Sequence, residues 1–126
     1  MNREASIHAI IEKSAPTWIE FLKELVSTPS PTGAEQKCQA QVRNAMISIG
    51  VYEQDVYASN KSPYVLTGRN YSDRPCIVGV IPCENSAKPF ILNAHIDTAP
   101  VEDEDTWIYP PFSAHEKDGK LFGRGA

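Results

Sequence analysis

Two residues are spaced to do chemistry together. His95 and Asp97 flank Ile96 in the stretch Leu92-Asn93-Ala94-His95-Ile96-Asp97-Thr98-Ala99-Pro100. An imidazole can bind a metal or carry a proton. A carboxylate at its second nitrogen fixes the tautomer and strengthens the ligand. In extended chain, residues i and i+2 point to the same face, so the spacing predicts the two side chains side by side. The apolar run before them predicts a strand over Phe90–His95, which puts the pair at a strand's C-terminal end. Helix-flanked sheets commonly build their sites there. Taken alone, His-x-Asp is a weak motif: it occurs by chance, and a lone histidine at a strand end is more often a hydrogen-bonded structural residue.

Other candidates read as structure. Glu102-Asp103-Glu104-Asp105 is four acids in a row, and such a run is usually a solvated loop. The three cysteines, Cys38, Cys76 and Cys83, are odd in number and scattered. They read as reduced, mostly buried thiols of a cytoplasmic protein. His8 falls at the polar edge of a first helix, and His115 in an acidic, proline-bounded loop taken as solvent-exposed.

The positioning elements follow from periodicity. Ile7, Ile10, Ile11, Trp18, Phe21, Leu22 and Leu25 recur at three- and four-residue steps, one stripe of a helix expected to pack into a core. Pro16, after the capping residue Ser14, predicts a short helix ending near Lys13 and a second from about Ala15 to Val26. Ser27-Thr28-Pro29-Ser30-Pro31-Thr32-Gly33 breaks the helix into a loop. Cys38, Val42, Ala45, Met46 and Ile49 outline a further helix, with Gly50 suited to the left-handed position after its end. Val51–Ala58 alternates like a strand, Asn60–Arg74 is a polar connection, and Cys76–Ile81 is a second, nearly continuous apolar strand. Continuous apolarity in two strands predicts an α/β fold: the N-terminal portion of a helix-flanked, mostly parallel sheet. Beyond Thr98, Pro100 and Pro110-Pro111 predict a long surface loop.

At 126 residues the chain suits one modest domain, and 41% hydrophobic content is ordinary for a globular one. A net charge of −4 argues against nucleic acid as partner. No apolar run approaches the ~20 residues of a membrane span, and no signal peptide is read at the start.

Four separate pieces over Pro89–Ala126 resemble the M20 metallopeptidase family, zinc-dependent amidohydrolases that include acetylornithine deacetylases, succinyl-diaminopimelate desuccinylases and aminoacylases. The matching residues are His95, Asp97 and Pro100; Trp107; Pro111-Phe112; and Asp118-Gly119 with Leu121-Phe122-Gly123-Arg124-Gly125-Ala126. Leu25–Ser30 with Gly33 and Glu35, and Arg74–Gly79, are similar to the family's first loop and an early strand. Ala94, Ala99, Cys76 and Cys83 depart from the residues usual there. The resemblance implies a zinc-peptidase-like catalytic domain, of which residues 1–126 form an N-terminal fragment without the lid and dimerisation domain. It implies His95 as ligand of one of two zinc ions, Asp97 as the catalytic-site carboxylate that orients it, and Gly123-Arg124-Gly125 as a tight turn leading to the next ligand. The bridging aspartate, the general-base glutamate and the remaining ligands of the family have no counterpart in the 126 residues. The isolated chain is therefore expected to be inactive and to hold zinc weakly at most. The implied substrate of the intact parent is a small N-acyl amino acid or peptide, cleaved at an amide bond. Two alternatives stay open: a non-catalytic α/β interaction domain, and one half of a split enzyme whose unfinished sheet pairs with a C-terminal half or with itself.

Overall fold

Asn2 begins the first helix: its side chain accepts the Glu4 N–H at 3.3 Å and its carbonyl accepts that of Ser6. The computed structural model describes residues 2–58, 75–81 and 90–126. They divide into two compact units, residues 1–28 with 101–126, and residues 29–100.

The first unit is built on α1, Arg3–Val26, a single helix of 24 residues that runs straight through Pro16. The break expected near Lys13 is absent. Proline forfeits the bond to the carbonyl four residues back, here Glu12, and both positions are exposed, so water can take that carbonyl. The helix ends on its own polar residues: Thr28 donates its N–H to Leu25 and its hydroxyl to the Glu24 carbonyl. Lys23 donates to Glu20 at 2.9 Å and to Glu116 at 2.6 Å. The two carboxylates raise its pKa, Glu116 most.

A hairpin completes this unit: β3 (His115–Lys117) pairs antiparallel with β4 (Lys120–Phe122), after a 3-10 turn at Glu104–Thr106. Asp118 and Gly119 form the two-residue connection, both with positive φ, the conformation Asp-Gly hairpin turns require. Strands therefore replace part of the long loop expected here. The acidic run is exposed, as expected. His115 is not a solvent-exposed loop residue: it lies in β3, with its ring stacked 3.8 Å from that of Tyr109.

The second unit holds α2 (Gln36–Ser48), β1 (Tyr52–Ala58) and β2 (Pro75–Val80). Helix α2 buries Cys38, as its spacing predicted, but Ile49, expected on the same buried face, follows the helix's end and is 76% exposed; Gly50 takes the left-handed conformation. Strands β1 and β2 pair antiparallel, with a register shift between Glu53 and Asp55. Cys76 is exposed rather than buried; Cys83 and the whole of the expected Asn60–Arg74 connection lie outside the described residues.

Two expectations about the sheet need correction. Among the described residues both ladders are antiparallel, and the parallel arrangement is limited to one isolated bridge between Pro31 and Thr98. The segment Phe90–His95 is not a strand. An apolar run becomes a strand where neighbours take its backbone bonds and layers cover its faces. Here Phe90, Ile91 and Leu92 are 86%, 81% and 86% exposed.

Burial is thin throughout. Val26, Cys38, Val51 and Pro111 are the buried apolar residues among those whose burial is described. The α1 stripe expected in a core is largely open, with Ile10, Trp18 and Leu22 all exposed. No described helix is long and apolar enough to cross a membrane.

Candidate functional site

His95 and Asp97 touch, although no strand delivers them. The ring Nδ1 lies 3.1 Å from Asp97 Oδ1 and 3.0 Å from the Asp97 main-chain carbonyl oxygen. Both neighbours are acceptors, so Nδ1 carries the proton and donates. In the neutral imidazole that leaves Nε2 with a lone pair, on a side chain 86% exposed.

The other oxygen of the carboxylate is held from far away in sequence. Thr32 donates its hydroxyl to Asp97 Oδ2 at 2.7 Å, across 65 positions. This bond does most to hold the Asp97 carboxyl below its usual pKa; partial desolvation works against it, and the His95 ring lowers it further.

The loop 29–35 is fastened to the segment 96–98 on both sides of Asp97. Ser30, only 2% exposed, donates its hydroxyl to the Ile96 carbonyl at 2.9 Å. Thr98 returns its N–H to the Ser30 carbonyl at 2.9 Å. The loop then turns at Gly33, whose φ of +99° is one that side-chain-bearing residues rarely adopt. Glu35, also buried, accepts the Gly33 N–H at 2.9 Å, and Ala34 donates to the Pro31 carbonyl at 2.8 Å. Buried polar groups are costly unless bonded. These pairings therefore fix the loop rather than decorate it.

Sequence spacing brings out the His95–Asp97 contact but misses Thr32 and Ser30. Ser27–Gly33 reads as a helix-ending loop, and nothing local tells which distant carboxylate its hydroxyls meet. The one available hint is the excess of hydroxyl side chains in so short a loop.

Zinc needs three or four protein ligands. Among the described residues no three of His, Cys, Asp and Glu come together. The described residues thus do not make a complete zinc site.

The Gly123-Arg124-Gly125 turn belongs to the first unit. Ala126 donates to the Gly123 carbonyl at 3.3 Å, and Gly125 has φ +80°. A Cβ on Gly123 would collide with Val26 Cγ1 and meet the Pro111 carbonyl at 3.1 Å, so only glycine fits between them. Arg124 lies over the Trp107 ring, 5.6 Å from its centre.

Comparison with known proteins gives the following. The family model described as Peptidase family M20/M25/M40 matches residues 91–126. The N-fatty-acyl-amino acid synthase/hydrolase PM20D1 of Xenopus tropicalis is 30% identical over 122 residues, 97% of this chain and 23% of the relative. The human PM20D1 is 28% identical over 106 residues, 84% of this chain and 20% of the relative. A succinyl-diaminopimelate desuccinylase of Psychromonas ingrahamii is 29% identical over 109 residues, 86% of this chain and 25% of the relative. The chain thus spans about a quarter or less of the length of these curated relatives. No solved structure matches it.

Proposed function

We infer, from the relatedness of this chain to the M20 family of peptidases and amidohydrolases, that it serves in the hydrolysis of an amide bond. In this reading His95 is one ligand of a zinc centre and Asp97 the carboxylate that orients it. The observation that carries the reading is the Nδ1–H of His95 directed at Asp97, with Nε2 left open. A metal-bound histidine commonly presents this arrangement. Zinc, when bound, polarises a carbonyl and acidifies a water. The chain's own part is to keep the imidazole neutral at Nε2 and fixed in direction. The names of the relatives favour an N-acyl amino acid or a related peptide as substrate.

Zinc titration calorimetry tests the ligand role on the chain itself. The expected result is weak binding that His95→Ala abolishes and Asp97→Asn weakens by about 10-fold or more. Identical binding by all three proteins overturns it.

A second reading has its own support. Phe90, Ile91 and Leu92 are apolar and exposed, a patch of the kind that marks association surfaces. On this reading the chain pairs with itself. Sedimentation velocity is expected to show concentration-dependent association, and a monodisperse monomer overturns it.

A further inference from the structure

The His95–Asp97 contact does not explain its own stability. A carboxylate turns about a broad, roughly two-fold torsion, and the His95 ring is mostly in solvent. Nδ1 also faces the Asp97 main-chain carbonyl at 3.0 Å, but neither that contact nor a single hydrogen bond between exposed side chains fixes the plane of the carboxylate. Asp97 has a second partner: its far oxygen receives the Thr32 hydroxyl at 2.7 Å while its near oxygen faces the ring. With both oxygens engaged, the carboxylate plane is fixed and so is the direction in which the ring must donate.

We propose that Thr32 is a positioning residue for His95, acting through Asp97. Its hydroxyl can do this because the backbone beneath it is anchored on either side. Ser30 grips the Ile96 carbonyl and the Thr98 N–H, one residue to each side of Asp97. Gly33 and the buried Glu35 close the turn immediately after Thr32. The chain of donors runs one way. The Thr32 O–H donates to Asp97 Oδ2, and the His95 Nδ1–H donates to Asp97 Oδ1. Both terminate on an acceptor-only group, so the ring has no favourable way to place its proton on Nε2 and keep the contact. The consequence for metal binding rests on the reading of His95 as a ligand; the effect on the ring does not.

The test reads the ring directly. Long-range proton–nitrogen correlation spectra of the full chain are recorded at about pH 8, where an ordinary imidazole is neutral. His95→Ala assigns the signals. The wild-type chain is expected to show His95 protonated at Nδ1. In Thr32→Val the ratio of the Nδ1–H to the Nε2–H form is expected to fall by about 5-fold, equivalent to about 1 kcal/mol, the net worth of one hydrogen bond. Thr32→Ser, which keeps the hydroxyl, is expected to restore it. Amide spectra check that the fold survives, and Thr32→Ala serves where valine disturbs it. Wild-type tautomer signals in both Thr32→Val and Thr32→Ala overturn the proposal, and so does a Thr32→Ser chain that matches Thr32→Val. A tautomer shift without His95-dependent zinc binding upholds the positioning role and removes the metal role.

Discussion

The hairpin at His115–Phe122 and the His95–Asp97 segment are each short and each well defined, but for opposite reasons. The hairpin's register is set locally, although Lys23 and Tyr109 also reach it: Asp118-Gly119 supplies the two positive φ angles, and the strands pair across it within eight residues. The site segment makes no ladder of its own and takes its shape from a loop 65 and 66 positions earlier. Local turn chemistry is cheap to encode and needs no partner. A site that must present two side chains in fixed directions is held instead by long-range hydrogen bonds, one of them from the buried Ser30.

Substitutions can break this contrast. The largest effect is expected at Gly123, whose Cβ position is taken by Val26 and the Pro111 carbonyl. Gly123→Ala is expected to cost about 2–3 kcal/mol in urea unfolding, as overpacking does. Adding Val26→Ala should recover part of that, and a purely additive pair would show that the two do not clash. Ser30→Ala comes next. It strands the Ile96 carbonyl and is expected to cost about 2 kcal/mol, with amide shifts spreading to Asp97 and Thr98. Shifts confined to Ser30 would refute the fastening of the two segments. Gly33→Ala forces a side chain into an unfavourable φ and is expected to cost about 1 kcal/mol. It should move the His95 signals while leaving those of the hairpin in place.

The smallest effect is electrostatic. The Asp97 carboxyl is held below its ordinary range, by Thr32 first. A depressed acid pKa stabilises the folded chain above the unfolded value of about 3.9, and the contribution is lost as pH falls through the folded one. Carboxyl carbon shifts should therefore place the Asp97 midpoint below the ordinary aspartate value of about 3.9. Thr32→Val should raise the Asp97 midpoint, and an unchanged midpoint would remove Thr32 as the cause.

Legibility in sequence follows the same division. Helix α2, its buried Cys38 and the left-handed Gly50 were readable because 3.6-residue spacing is local. So were β1 and the strand now seen at Pro75–Val80, but not their antiparallel pairing, since pairing is decided between segments. Pro16 misled, because a proline forbids a hydrogen bond rather than a helix when water can serve the freed carbonyl. Phe90–His95 misled in the other direction: its composition is a strand's, and among the described residues nothing pairs with it. Asp118-Gly119 carried a readable hairpin signal that prolines nearby obscured. Thr32 carried none, since its meaning depends on a carboxylate remote along the chain.

The stitching of Ser30 to Ile96 and Thr98 makes everything between them a closed ring. The free energy of closing such a ring rises only with the logarithm of its length, about 0.6 kcal/mol for each doubling. An insertion placed in a connecting segment of that ring, rather than in α2, β1, β2 or the Thr32–Glu35 turn, should therefore leave the geometry at its neck nearly untouched.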